Sequence, residues 1–248
     1  MPTIKIIKII LLLSVILFAV SFFQKNKFPD KNEIAKQTYK EPIQTETNKV
    51  PFEIRKNNIT YVITPLYNYE LNGMIVSYND SSNWLDYYHK KWEDFINIKD
   101  VCVIWGENIE TGIYKKLKFS SGSYTCYWKT KPNITYNEWS EFKNNCISNN
   151  HLLSVNKNIN KKIMDTRIGD QIHLKGYLAA YAIKGGSFNR GTSVSRTDAG
   201  NGACEVIYLT DFQIIKKANP FWNSAIYITK YLITICLIIL TILFFKEL

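Results

Sequence analysis

Two apolar segments bracket the chain, residues 4–23 and 225–245, and everything between them must fold as a domain tethered at both ends. A helix crossing ~30 Å of hydrocarbon needs about 20 mostly apolar residues. Each segment reaches that length by taking in lysine: Lys5 and Lys8 in the first, Lys230 in the second. These lysines sit near the segment ends, where a long side chain can reach the headgroups. The second segment carries an interfacial belt, with Phe221, Trp222, Tyr227 and Tyr231 at its entry and Phe244, Phe245 and Lys246 at its exit. The first is also built like an export signal, because Lys5 and Lys8 precede an apolar run and Ala19-Val20-Ser21 offers a small-x-small cleavage site. Phe22 and Phe23 carry the apolar run past that site and no lipobox cysteine is present, so an uncleaved anchor is expected.

The side of the membrane is read from conflicting signals. Lys25, Lys27, Lys31 and Lys36 after the first segment outnumber the lysines before it, and Lys216 and Lys217 precede the second segment against Lys246 beyond it. Counted alone, these would hold the middle in the cytoplasm, but domains longer than about 60 residues translocate largely regardless of charge. Only four of the 31 basic residues are arginine, so the net charge of +10 is mostly dispersed lysine. Cys102, Cys126, Cys146 and Cys204 form an even set with no C-x-x-C spacing, whose three pairings sequence cannot separate. They are the candidate disulfide cysteines of an extracytoplasmic domain, the alternative being small buried thiols. The expected location is therefore the inner membrane, two-pass, with the middle outside the cytoplasm.

The domain boundaries follow from composition: an N-terminal anchor at 1–23, a polar linker at 24–50, a β-rich domain at 51–217 and a C-terminal transmembrane helix at 221–246. The linker is rich in Lys, Glu, Thr and Asn, contains Pro29 and Pro42, and has no apolar period. Strand-like runs at 58–64, 73–78, 101–105, 123–128, 171–183 and 204–215 are rich in Ile, Val, Tyr and Thr. Trp84, Tyr88, Trp92 and Phe95 recur at helical spacing after Ser81 and Ser82, which predicts a helix with an aromatic stripe on the sheet. Thr135-x-x-Glu138 is a capping box opening a second helix, and a weaker turn is expected at 159–164. The fold class is α+β and β-dominated, an antiparallel sheet or small barrel flanked by one transmembrane helix at each end.

The most distinctive stretch is IKGGSFNRGTSVSRTDAGNGAC, residues 183–204. Arg190, Arg196 and Asp198 lie in it, Arg167 precedes it, and arginine can hold a carboxylate or phosphate through two parallel hydrogen bonds. These four are the candidate binding residues, against the plainer reading of a soluble hairpin connection. A nucleotide loop is not supported, because Thr192 stands where the phosphate-reaching lysine is required and no helix follows. His89, His151 and His173 make no zinc spacing, so no metal and no cofactor is expected. No nucleophile elbow is present, although folding can bring His173 beside Cys204 or Ser195. The acidic pairs read as surface or turn residues, and the aromatics between Trp84 and Trp139 read as core rather than as a sugar or peptide platform.

Two resemblances add to this reading. MDTRIGDQIHLKGYLAAYA, residues 164–182, resembles the strand pair of OB-fold-like small barrels, with Gly169-Asp170, alternating Ile172 and Leu174, then Gly176. The stretches WLDYYHKKWEDF, DVCVIWGENI, RIGDQIHLKGYLA and RTDAGNGACEVIY together resemble uncharacterised bacterial membrane proteins of unknown function, which carries no residue role across.

The expectation is a non-enzymatic binding or assembly module of the bacterial envelope, with the lipid bilayer and another envelope protein as partners through the Arg/Gly loop. One alternative is a cytoplasm-facing OB-like module for nucleic acid or anionic lipid, which the net charge and the aromatics fit but the dispersion of the lysines opposes. Another is an enzyme whose site gathers distant residues such as His173, Asp198 and Ser195.

Overall fold

The computed structural model describes residues 2–246 apart from 85, 199, 201 and 202. Helix α1 (Pro2–Gln24) opens the chain, followed by β1 (Ile43–Glu46), β2 (Phe52–Lys56) and a long β3 (Ile59–Asp80). A single turn, α2 (Tyr88–Lys91), precedes β4 (Asn97–Ile104), and α3 (Glu107–Glu110) leads into the hairpin β5 (Leu117–Gly122) and β6 (Thr125–Thr130). Then come α4 (Tyr136–Ser140), β7 (Ile147–Leu153), α5 (Lys157–Met164), β8 (Gln171–Ile183), the short β9 (Asn189–Arg190), β10 (Glu205–Lys216) and α6 (Pro220–Lys246). Two compact units result: α1 and α6 with their flanks form one, and Asp30–Lys217 forms the other.

The two helices are long and apolar enough to cross a membrane, with mean hydropathies of 2.8 over Ile4–Gln24 and 2.4 over Pro220–Lys246. Their buried residues are small or polar, namely Ser14, Ser21, Ala225, Thr229 and Cys236, while their Leu, Ile and Phe side chains point outward. That is the inverse of a water-soluble pair, and small residues let helix backbones approach where lipid already solvates the large ones. Asn219 closes the pair by donating to the carbonyls of Lys25 and Lys27.

In the second unit the main sheet runs β1-β3-β4-β7-β10-β8-β9, with β2 also on β3. Strand β3 is long enough to pair with β8 from Tyr61 to Met74 and with β4 from Met74 to Asp80, so the sheet curls back on itself without becoming a true barrel. The chain is α+β as the composition implies, but the sheet is mixed: β10 is parallel to β7 and antiparallel to β8. Gly176 permits the tight β8–β10 contact, because a Cβ there would lie 2.1 Å from the Tyr208 carbonyl oxygen.

Side chains alternate between faces along a strand. One face buries Leu71, Val101, Val103, Leu152, Ile207 and Phe212 under Ile159 and Ile163 of α5. The other buries Tyr61, Ile63, Leu153, Tyr181 and Val206, and across its centre this second face turns polar.

Two local expectations are corrected, and one strand was not expected. The aromatic helix over 84–95 shrinks to one turn with Trp84 82% exposed, because Asp86 and Asp94 turn inward to polar partners and break the stripe. The linker at 24–50 is structured from Asp30 onward: Gln171 accepts from the Ala35 amide and donates to the Glu33 carbonyl, and β1 pairs with β3. Strand β7, ISNNHLL, carries too many polar residues to read as a strand yet lies wholly buried between β4 and β10. The capping box at Thr135 and Glu138 forms as expected, although its helix ends at Ser140.

Candidate functional site

Polar residues are tolerated at the centre of this sheet only if they satisfy one another, since an unpaired buried polar group is costly. The registers bring them into line. Asp100 on β4 lies directly opposite His151 on β7, and Cys102 lies opposite Asn149. The parallel pairing of Glu205 with Asn150 and Val206 with His151 then sets Cys204, at the mouth of β10, beside Asn149. Three adjacent strands thus present an acid, an imidazole and a thiol on one face.

The contacts give the row its polarity. Asp100 is fully buried and accepts from His151 Nδ1 at 2.6 Å, from Asn97 Nδ2 at 2.8 Å and from the Tyr124 amide at 2.9 Å. Burial would raise its carboxyl, but His151 above all, then His89 and Asn97, hold it below the usual carboxylate range. Burial opposes a charge on His151, and Asp100 overcomes it, pushing the imidazole up to about 9. Nδ1 is committed to Asp100, and His151 and Cys204 lie close enough that each favours the other's charged form, while Cys204 Sγ donates to the Tyr124 carbonyl at 3.7 Å. Burial would raise that thiol too, yet His151 and Asn149 bring it below its ordinary value. Asn149 Nδ2 lies 3.3 Å from Sγ. The result is a thiol lowered and an imidazole raised beside each other, with the ring oriented by a buried carboxylate.

A polar and aromatic wall closes around the row. The disulfide Cys102–Cys126 ties the β5–β6 hairpin to β4, and Tyr124 at its tip adopts a left-handed φ of 62°. Its backbone donates to Asp100 and accepts from Asn149, and its ring stacks on His89 at 4.2 Å, with Trp92 at 5.3 Å. The Arg190 guanidinium lies over the same ring at 3.7 Å, with Nη1 3.3 Å from His151 Nε2. His89 is held by Asp86 at 2.9 Å and Asn97 at 3.0 Å. Asp94 receives the hydroxyls of Tyr181 and Tyr124 at 2.7 and 3.1 Å, and burial pushes its carboxyl up.

The candidate residues scatter. Only Arg190 reaches the row, carried there by the pairing of β9 with β8. Arg196 donates to the Pro42 carbonyl and sits 3.6 Å from Glu41, which fastens the 183–204 stretch to the β1 segment. Asp198 accepts from Ser193, and Arg167 donates to the Met164 and Thr166 carbonyls at the end of α5. Gly202 lies outside the described residues. Of the four cysteines, Cys102 and Cys126 are bonded while Cys146 and Cys204 are free. The histidine beside Cys204 is His151; His173 instead faces Asn72 at 3.0 Å, apart from Ser195 and Asp198, which gather around Ser193. Among the described residues no group of three or more His, Cys, Asp or Glu is arranged to hold a metal ion.

No family model, no curated protein and no solved structure matches the chain.

Proposed function

We propose that the protein is a membrane-anchored enzyme of the bacterial envelope that uses Cys204 for acyl transfer. The observation that carries this reading is the row Cys204–His151–Asp100 across three adjacent strands, with the thiol and imidazole tuned toward the charged pair. In the reaction the thiolate attacks a carbonyl carbon, and the leaving group departs with the proton of the His151 imidazolium. The resulting thioester is then cleaved by water or another nucleophile whose proton returns to His151. Asp100 is a positioning residue that fixes the imidazole tautomer. A buried histidine–carboxylate pair with a depressed thiol exceeds what packing alone requires, which favours chemistry over a purely structural network.

The disulfide Cys102–Cys126 supports an oxidising, extracytoplasmic location, because such bonds persist outside the reducing cytosol. With a span at each end, chain connectivity then confines the domain to the outer face of the inner membrane, with both termini inside. Full-length protein in detergent, incubated with p-nitrophenyl acetate and analysed by mass spectrometry, is expected to carry acetyl on Cys204. Loss of the adduct in His151→Ala supports the role; acetylation independent of His151, or none on Cys204, refutes it.

A non-enzymatic envelope module is the second reading, favoured by one observation: Trp84, Tyr87 and Tyr136 are 82%, 61% and 83% exposed. Exposed aromatics suit a partner protein. On this reading Cys204→Ala leaves cellular function intact while Trp84→Ala removes it; the thiol-enzyme reading expects the reverse. An OB-like nucleic-acid or anionic-lipid module rests on the net charge of +10 and the aromatics, and a salt-insensitive or absent shift with single-stranded oligonucleotides removes it.

A further inference from the structure

We propose that Arg190 is the specificity residue of the Cys204 site and that the substrate carries a carboxylate next to the scissile acyl group, as in a peptide or acylamino acid with a free C-terminus. This rests on the thiol-enzyme reading and names its substrate class.

Arginine guanidinium groups that are half-buried ordinarily meet a carboxylate. Among the described residues Arg190 makes no ion pair within 4 Å; Asp94 is near enough to feel its charge, and Arg190 Nη1 lies 3.3 Å from His151 Nε2. That contact sets a permanent cation edge to edge with an imidazole already held protonated by Asp100. The Tyr124 ring, 3.7 Å from the guanidinium carbon, holds the group in place, and its N–H donors can form a fork for a planar anion. Pairing of Arg190 with Tyr181 across β8 and β9 fixes its backbone, so the fork is presented by a strand and not by a free loop.

A second, independent feature completes the match. Asn149 must point Nδ2 at the Tyr124 carbonyl, 3.0 Å away, which sets the amide orientation. Its Oδ1 is then buried without a hydrogen-bond partner. An amide N–H entering beside Cys204 would satisfy this acceptor. In an acylamino acid the amide N–H and the carboxylate are separated by one carbon, so a single ligand carries both groups, the first for Asn149 and the second for Arg190.

Two measurements on the full-length protein in detergent test this. Calorimetric titration with N-acetylglycine and with its neutral amide, N-acetylglycinamide, should show the acid binding at least about tenfold tighter, the effect of a charge-assisted fork. Arg190→Gln should abolish the difference and Arg190→Lys, which keeps the charge and loses the fork, should leave part of it. Equal binding of acid and amide, or a preference unchanged in Arg190→Gln, overturns the proposal whatever the reactivity of Cys204. In parallel, the ratio of iodoacetate to iodoacetamide alkylation at Cys204 should fall about tenfold in Arg190→Gln; because both reagents use the same thiolate, the ratio is insensitive to any change in thiol ionisation. An unchanged ratio at a reactive Cys204 rejects Arg190 while leaving the thiol role standing. A Cys204 inert to both reagents rejects the thiol role, and the calorimetry still decides the anion site.

Discussion

Asp100 and His151 are direct cross-strand partners between β4 and β7, with the carboxylate 2.6 Å from Nδ1, so the imidazole is oriented by the sheet itself and not by a mobile loop. This pairing makes the site part of the core. Asp100→Ala should destabilise the domain by about 3–5 kcal/mol, because it leaves a buried imidazolium without its counter-charge. Chemical unfolding of the domain measures this; a loss under about 1 kcal/mol would mean that the pair is not buried in solution.

Reduction of Cys102–Cys126 frees the hairpin whose tip supplies an amide to Asp100 and a carbonyl to Asn149. Cys126→Ala should cost about 3 kcal/mol from the released loop. It should also raise the pH at which Cys204 becomes reactive, since the Tyr124 carbonyl that orients Asn149 beside the thiol is no longer held in place. Thermal melts with and without reductant report the first effect, and unchanged melting contradicts it.

Gly176→Ala tests the sheet directly. A Cβ at this position lies 2.1 Å from the Tyr208 oxygen and 3.0 Å from the Leu209 Cα, both backbone, so β8 and β10 must separate. An overpacking loss of about 1–3 kcal/mol is expected in equilibrium unfolding. The alanine at Gly112, where nothing lies within 4 Å but φ is +79°, should cost only the backbone strain.

Glu205, next to Cys204 in sequence but on the opposite face, is pushed up to about 8 by burial from an ordinary 4.5. Folding therefore takes up a proton between these two pH values. Stability owed to the neutral acid is full below pH 4.5 and is lost as pH rises through 8. Glu205→Gln should flatten the decline of the melting temperature across that window. Each kcal/mol recovered at pH 8 corresponds to about 2–4 °C, and an unchanged slope rules Glu205 out as its source.

How much of this was legible in the sequence depends on how local each signal was. The terminal helices, the capping box of Thr135 and Glu138 and strands β8 and β10 follow from runs and periods within a dozen residues. Strand β7 does not, because Ser148, Asn149, Asn150 and His151 take buried positions through partners on β4 and β10 that lie far along the chain. The site was missed for the same reason: His151 and Cys204 meet only through the parallel β7–β10 pairing, and that crossover leaves no mark in local pattern. A histidine inside an otherwise strand-length run, ISNNHLL, flanked by asparagines, was the available signal. Arg190 stood out for its residue type within a glycine-rich stretch, whereas Arg196 and Arg167 shared that trait and serve to fasten the backbone.

The pH dependence of Cys204 alkylation tests the central claim most directly. Full-length protein in detergent is treated with iodoacetamide across pH 5–9, and the modified cysteine is identified by mass spectrometry. Cys146, pushed up to about 11 by burial and by Glu41, should stay silent throughout that range. Cys204 should react at pH values below the ordinary thiol range, and His151→Ala should move its profile up toward that of a free cysteine. A Cys204 profile that already matches a free thiol, or one that His151→Ala leaves in place, would contradict the thiolate–imidazolium pair on which the proposed function stands.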